Sequence, residues 1–250
     1  MHCLAVDSGN SFLKWAYLEN NRKLLQNQVS NQELHKLLDV WQTLKTPDMI
    51  IVSQVSGQRL NTQLKRLFKI WNIQPHWICA LAKQCGVTNS YANTDQLGSD
   101  RWAALIAAWN KFHESCVVVD VGTAMTVDVI SDDGVFLGGI IIPGTYSLQK
   151  CIQCTTHVNL NDMAYQYHAF PVNTADAIYS GIIQALVGSI ERMIQLYQFH
   201  HGMAVKHCLL SGGGRADLLP HINFDVTVID NLVLEGLIHI AQDIQHKQNV

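Results

Sequence analysis

The chain has 250 residues, 48% of them hydrophobic and 15% charged, enough for a large core and too few charges for long disordered segments. A net charge of −3 with no basic run longer than two residues gives nucleic-acid binding no electrostatic support. No apolar run approaches the roughly 18 residues that span a bilayer, and no charged n-region precedes an apolar h-region at the start. The seven cysteines are odd in number, and Cys3, Cys79, Cys116 and Cys208 sit in apolar segments. They read as buried thiols in a reducing compartment, so a cytoplasmic protein with no membrane or nucleic-acid partner is expected.

In chain order, Leu4-Ala5-Val6-Asp7-Ser8-Gly9-Asn10-Ser11-Phe12-Leu13-Lys14 reads as an apolar strand, an Asp-x-Gly turn and a second strand. A third strand is expected over 24–29. A helix over 31–45 carries Leu34, Leu37, Leu38, Val40, Trp41 and Leu44 on one face, with Ser30 or Asn31 able to cap it and Pro47 stopping it. A buried strand over 49–52, a helix over 57–70 and a strand over 75–80 follow. This alternation predicts a mostly parallel α/β sheet. Residues 81–100 form a long polar loop without period, and loops of that length in compact domains usually carry function. The loop delivers Gly98-Ser99-Asp100-Arg101 to a helix over 102–109. Ser99 or Asp100 could simply cap that helix and leave Arg101 solvated; alternatively, the Asp–Arg pair serves a substrate.

Val117-Val118-Val119-Asp120-Val121-Gly122-Thr123-Ala124-Met125-Thr126-Val127-Asp128 then repeats the opening device: buried strand, Asp-x-Gly, small hydroxyl residues, second strand. A third strand over 135–142 carries Gly138-Gly139, which suggests a close backbone approach. A helix from 146, a polar loop to 170 and a long helix over 174–198 follow. That helix opens at Asn173-Thr174 and has Ile178, Ile182, Ile183, Leu186, Ile190 and Ile194 as its stripe. The strand over 207–210 corresponds to the one over 50–53 and leads into Ser211-Gly212-Gly213-Gly214. A strand over 226–229 and a helix over 232–245 complete the pattern. Matched Asp-x-Gly hairpins at the heads of two halves indicate a duplicated architecture, with lobes over 1–112 and 113–250 and a nucleotide cleft between them.

The chemistry of these stretches is specific. A tight glycine turn offers free amides to an anion and lets a ligand approach the backbone, and Lys14 adds positive charge for the same groups. A carboxylate beside a phosphate site cannot serve the anion directly and is suited to a cation. Asp7 could hold Mg²⁺ through water, since that ion keeps much of its hydration shell. The glycines at 212–214 would give side-chain-free access to a nucleotide. Phosphoryl transfer further needs positioning and a base for the acceptor hydroxyl, and Asp100 beside Arg101 is the candidate.

Asp7 to Lys14, Leu97-Gly98-Ser99-Asp100-Arg101, Asp120 to Asp128, and Gly138-Gly139 through Pro143-Gly144 together resemble the type III pantothenate kinases, in that family's motif order and over essentially the whole chain. The resemblance implies two ribonuclease H-like lobes of the actin-like ATPase and sugar kinase superfamily. It also implies ATP-dependent phosphorylation of pantothenate to 4′-phosphopantothenate, the first step of coenzyme A synthesis. Carried over by position, Asp7, Ser8, Gly9, Asn10, Ser11, Phe12, Leu13 and Lys14 would be the ATP phosphate loop, with Thr123 a further ATP contact. Tyr91, Gly98, Ser99, Asp100, Arg101 and Thr174 would bind pantothenate, with Asp100 as proton acceptor. Asp120 would bind the monovalent cation, potassium or ammonium, that the family needs besides Mg²⁺. A homodimer is implied, its pantothenate site drawing on both subunits. Ser11 stands where the family usually has Thr, and Thr94 where Pro is expected.

Other readings use the same residues. A kinase of this superfamily could take another acceptor, and a non-catalytic regulator could keep the nucleotide site. Cys151-x-x-Cys154-x-x-His157 has partial zinc-ligand spacing without a clear fourth ligand. His200-His201 reads as a solvated helix end.

Overall fold

A computed structural model of the chain describes residues 2–20, 22–156 and 164–248. The first part runs β1 (His2–Ser8), β2 (Phe12–Glu19), β3 (Arg22–Ser30), α1 (Lys36–Trp41), β4 (Met49–Gln54), α2 (Gln58–Leu67), β5 (His76–Trp77), β6 (Lys83–Gln84), β7 (Val87–Asn89) and α3 (Ser99–Phe112). It continues through β8 (Cys116–Val121), β9 (Ala124–Ile130), β10 (Val135–Pro143), α4 (Thr145–Thr155), α5 (Thr174–His201), β11 (His207–Ser211), α6 (Arg215–Leu218), β12 (Thr227–Val228) and α7 (Leu232–Gln248). Two compact units result. The first is Met1–His113 with Asp133–Phe136 and Asn231–Val250, and the second is Glu114–Asp132 with Leu137–Asp230.

Within the first unit the main sheet has the order β3-β2-β1-β4-β5; within the second it is β10-β9-β8-β11-β12. In both, the leading strand pairs antiparallel with the next strand and parallel with the fourth. The register repeats as well: Asp7 lies opposite Ser53, and Asp120 lies opposite Ser211. The duplication read from two hairpins therefore extends through five strands of each unit.

Strand alternation decides what each face does. In β1, Leu4 and Val6 join the core formed with Trp15, Trp41, Ile50, Leu64 and Phe68. Cys3, Ala5 and Asp7 occupy the opposite face by alternation, and α7 packs on β1, β4 and α3. In β8, Val117, Val119 and Val121 join Ile182, Ile183, Leu186 and Ile190 of α5, the stripe expected from the sequence, while Ile178 and Ile194 are partly buried against it.

Several expected elements differ in extent. The helix expected over 31–45 shrinks to α1, whose capping residue is His35 without a side-chain bond, and Asn31 is engaged elsewhere. The strand expected over 75–80 is only the two residues of β5. The loop over 81–100 is partly ordered: β6 and β7 form a hairpin, and β7 pairs with Val135 and Phe136. Polar residues hid that hairpin, because its buried positions are few. Cys79 is exposed rather than buried, unlike Cys3, Cys116 and Cys208. Burial pushes the Cys3 and Cys208 thiols up to about 12, so they are unreactive at neutral pH.

The C-terminal segment also departs from a second lobe running on to residue 250, since α7 belongs to the first unit. The reason is local. A Cβ at Gly236 would collide with the Ala103 backbone carbonyl, so α7 and α3 meet backbone to backbone where no side chain fits. Gly236→Ala should therefore destabilise the fold by about 1–3 kcal/mol despite alanine's better helix propensity. Urea unfolding should register this as a lower midpoint with an unchanged slope.

Candidate functional site

In the first unit, Asp7 is the penultimate residue of β1 and is only 6% exposed. Lys14 on β2 and Ser53 on β4 stand opposite it. The turn after it closes with the Gly9 N–H donating to the Phe12 carbonyl at 3.2 Å. Asn31, at the exit of β3, fastens this turn from outside. Its Nδ2 donates to the carbonyls of Gly9 and Asn10 at 2.9 Å each, and its N–H donates to the Ser11 carbonyl at 3.1 Å. Engaging three carbonyl oxygens withdraws the groups that would repel an anion at this turn. Asn31 carries this work instead of the helix cap expected of it.

Asp100 is set by the end of β4. The hydroxyls of Ser53 and Ser99 are hydrogen-bonded at 2.9 Å, and the Gln54 N–H donates to Ser99 Oγ at 3.2 Å. Both serines are buried, so this contact fixes the start of α3 beside the neighbour of Asp7. Neither Ser99 nor Asp100 caps the helix; Gly98 is the capping residue, without a side-chain bond. A Cβ at Gly98 would lie 2.5 Å from Asp100 Oδ1, so the glycine makes room for the carboxylate. That oxygen accepts the Arg101 N–H at 2.8 Å. Burial pushes the Asp100 carboxyl above the ordinary carboxylate range, opposed in part by the Arg101 N–H and the Arg101 charge. Desolvation wins, giving a stronger base than an exposed aspartate.

Arg101 is not solvated. It is 6% exposed, and its Nη1 donates to the Tyr91 hydroxyl at 3.0 Å. Its guanidinium lies 5.8 Å from the ring centres of both Tyr91 and Phe136, which are 5.5 Å apart. A buried cation held by two ring faces and a phenol is suited to an anionic or strongly polar small molecule. The approach to this corner is ordered without the proline expected at 94. Asn93 caps a short 3₁₀ turn by accepting the Asp95 N–H at 3.1 Å, and the Leu97 N–H returns to the Thr94 carbonyl.

In the second unit, Asp120 is the penultimate residue of β8, half-buried, opposite Thr126 and Ser211. The Gly122 N–H donates to the Ala124 carbonyl at 2.9 Å, and the Thr123 carbonyl accepts from the Gly144 N–H and the Ser147 hydroxyl. Backbone crowds this turn from two sides. A Cβ on Gly144 would strike the Gly122 carbonyl, and one on Gly212, which has φ +91°, would strike Val121. The glycines at 212 and 214 thus serve packing over the end of β8, while Gly213 faces open space. Gly139 likewise accommodates the chain itself, since a Cβ there would meet Val127 and Asp128, while Gly138 has open space around it. Thr174 is exposed in the first turn of α5, whose cap Asn173 accepts the Asp176 N–H at 2.9 Å. Cys151 and Cys154 are exposed on α4, and His157 lies outside the described residues. Among the described residues no three His, Cys, Asp or Glu side chains gather as a metal cluster.

Asp7, Lys14, Tyr91 and Gly98–Arg101 thus belong to the first unit, and Asp120, Thr123 and Thr174 to the second. A profile of the type III pantothenate kinases matches residues 3–196. The chain belongs to that family. A type III pantothenate kinase of Nitrosomonas eutropha is 43% identical over 241 residues, covering 96% of this chain and 94% of its own. Another, from Nitrosospira multiformis, is 43% identical over 240 residues, covering 96% and 91%. Among solved structures, a Baf family transcriptional activator from Campylobacter jejuni aligns with a TM-score of 0.61 at 24% identity, covering 99% of this chain and all of the other (100%). The Clostridium difficile activator of 2-hydroxyisocaproyl-CoA dehydratase, solved with bound ADPNP, aligns with a TM-score of 0.53 at 13% identity, covering 100% and 98%. With the repeated five-strand order, these neighbours identify the actin-like ATPase and sugar kinase fold of two ribonuclease H-like lobes.

Two residues of this family member escaped the sequence reading. Ser53 had a visible signal, because Ser211 occupies the same place after the corresponding strand. Asn31 had none, because its partners are backbone carbonyls distant in sequence. Asn31→Ala should speed hydrogen exchange at the Gly9 amide and lower stability by about 1–2 kcal/mol, leaving exchange in α5 unchanged.

Proposed function

We propose that this protein transfers the γ-phosphoryl group of ATP to the primary hydroxyl of pantothenate, giving 4′-phosphopantothenate and ADP at the entry to coenzyme A synthesis. The observation that carries the reading is the Asp100–Arg101 corner: a base strengthened by burial, next in sequence to a buried guanidinium on two aromatic faces. Asp100 takes the hydroxyl proton, the freed oxygen attacks the γ-phosphorus, and the bond to the bridging oxygen breaks to release ADP. Tyr91, Gly98, Ser99, Arg101 and Thr174 hold pantothenate, with Arg101 serving its carboxylate. The turn from Asp7 to Lys14 and Thr123 hold ATP, with Lys14 offsetting phosphate charge.

The donor set fits two cations. Asp7 is a buried hard-oxygen donor with Ser53 opposite it in register, suited to Mg²⁺ held through water. When bound, that ion neutralises charge on the phosphates. Asp120 is a half-buried carboxylate near the end of β8, suited to potassium or ammonium. We further propose a homodimer, supported by Phe170, Val172 and Phe199 of the second unit, exposed by 91%, 97% and 81%. The buried free thiols support a cytoplasmic setting.

The deciding assay is ADP release from Mg-ATP with and without pantothenate, in potassium and then in sodium. Pantothenate-dependent turnover stimulated by potassium is expected. Nucleotide binding without it would move the protein to another acceptor or to a non-catalytic regulator. Asp120→Asn should weaken the potassium response, and an unchanged response would remove that role.

Asp100 adds a pH signature. The base works ionised and its pKa is raised, so the acid limb of kcat/KM should lie above the ordinary carboxylate value of about 4. A raised pKa also means that ionisation lowers stability as pH climbs through it. Asp100→Asn should therefore cut kcat by about 10²–10⁴-fold while holding or slightly raising Tm at neutral pH.

A further inference from the structure

Asn89 ends β7 opposite Phe136, in the first unit. Parallel register places the two side chains on one face of the pair, the face where Phe136 meets the Tyr91 ring and the Arg101 guanidinium. Asn89 Oδ1 accepts the Tyr91 N–H at 3.0 Å, a side-chain turn that holds the backbone of Tyr91. This bond also fixes the orientation of the amide, since the flipped form would set NH₂ against an N–H donor. Nδ2 therefore points to the other side of the carboxamide. The residue is 9% exposed, and this nitrogen is buried without a hydrogen-bond partner among the described residues.

Leaving a buried amide donor unsatisfied is costly, and native proteins rarely tolerate it without a ligand or water to take the bond. Turn formation alone does not require the donor, because an aspartate would accept the Tyr91 N–H equally well and expose no N–H. The surroundings narrow what the donor is for. Phe136 stands opposite it in the pair and Tyr91 is bonded to it, and these two rings flank the Arg101 guanidinium, a corner suited to a polar, negatively charged small molecule. What such a molecule offers Nδ2 is an oxygen acceptor: a carbonyl, a hydroxyl or a carboxylate.

We propose that Asn89 Nδ2 donates a hydrogen bond to an oxygen of pantothenate and is a specificity-determining residue of the acceptor site. This rests on the pantothenate reading given above. Asn89 thus serves the substrate twice, through Oδ1 by setting Tyr91 and through Nδ2 by direct contact.

The two roles separate in Asn89→Asp, which keeps the turn acceptor and replaces the donor with an oxygen. Steady-state constants are measured beside wild type, with Tm as the check on folding. The expected result is a KM for pantothenate raised about 10-fold or more, with kcat and the KM for ATP within about twofold of wild type. A wild-type KM for pantothenate in Asn89→Asp would overturn the proposal and leave Asn89 as a turn residue only. So would parallel changes in both KM values together with a lowered Tm. If the buried charge prevents folding, Asn89→Ser decides the matter. Its hydroxyl can accept the Tyr91 N–H, brings no charge and leaves no donor at the Nδ2 position, so the same selective rise in KM is expected. A wild type that turns over no pantothenate would sink the substrate reading and this contact with it. An active wild type with an unchanged variant sinks the contact alone.

Discussion

The hydrogen bond between the Ser53 and Ser99 hydroxyls joins a strand to a helix where the rest of the first unit's chemistry is decided. Ser53 is where it is because β4 runs parallel to β1 in the register that sets it opposite Asp7. Ser99 is the first residue of α3, so anchoring it fixes the two residues that follow, the carboxylate and the guanidinium. Both hydroxyls are buried, so the bond adds only about 1 kcal/mol when made but costs more when unmade. That asymmetry makes the contact a locating device rather than a large source of stability. Gly98 completes it by leaving empty the space a side chain would take from Asp100.

The duplicated framework uses equivalent positions for different ends. Asp7 and Asp120 are the penultimate residues of the matching strands β1 and β8, and both lie opposite a buried serine. Asn31 secures the turn after Asp7 with side-chain amide bonds to carbonyls. In the second unit, the turn after Asp120 is hemmed in by backbone at Gly144 and Gly212 and tied by the Ser147 hydroxyl. One scaffold thus yields a turn held by side chains and another held by packed main chain. An α/β sheet permits this because strand ends, unlike strand centres, are free to vary without disturbing the core.

Much of this was legible in the sequence for a physical reason. Strand-turn-strand motifs with an acid at a fixed place are local, and the two copies could be matched against each other. The stripe on α5 and the buried face of β8 follow from periodicity alone. Other features depended on partners distant in sequence. The burial of Arg101 needs Tyr91 and Phe136, which are brought beside it by the pairing of β7 with the start of β10. The β6–β7 hairpin was missed because polar residues predominate in it. Gly138-Gly139 read as a close backbone approach and the glycines at 212–214 as access for a nucleotide, yet Gly139 and Gly212 accommodate main chain of their own unit. A glycine in sequence signals close approach; it does not say by what.

The return of α7 to the first unit bears on how the chain comes off the ribosome. β1, β4 and α3 emerge early, but the helix that covers one face of them lies beyond Asn231. Until that segment is made, β1, β4 and α3 lack the cover that α7 gives them. The second unit is nearly continuous in sequence and can close while synthesis is still under way. The half that leaves first is therefore the last to be completed. Its uncovered apolar face is the surface that chaperones would meet during translation.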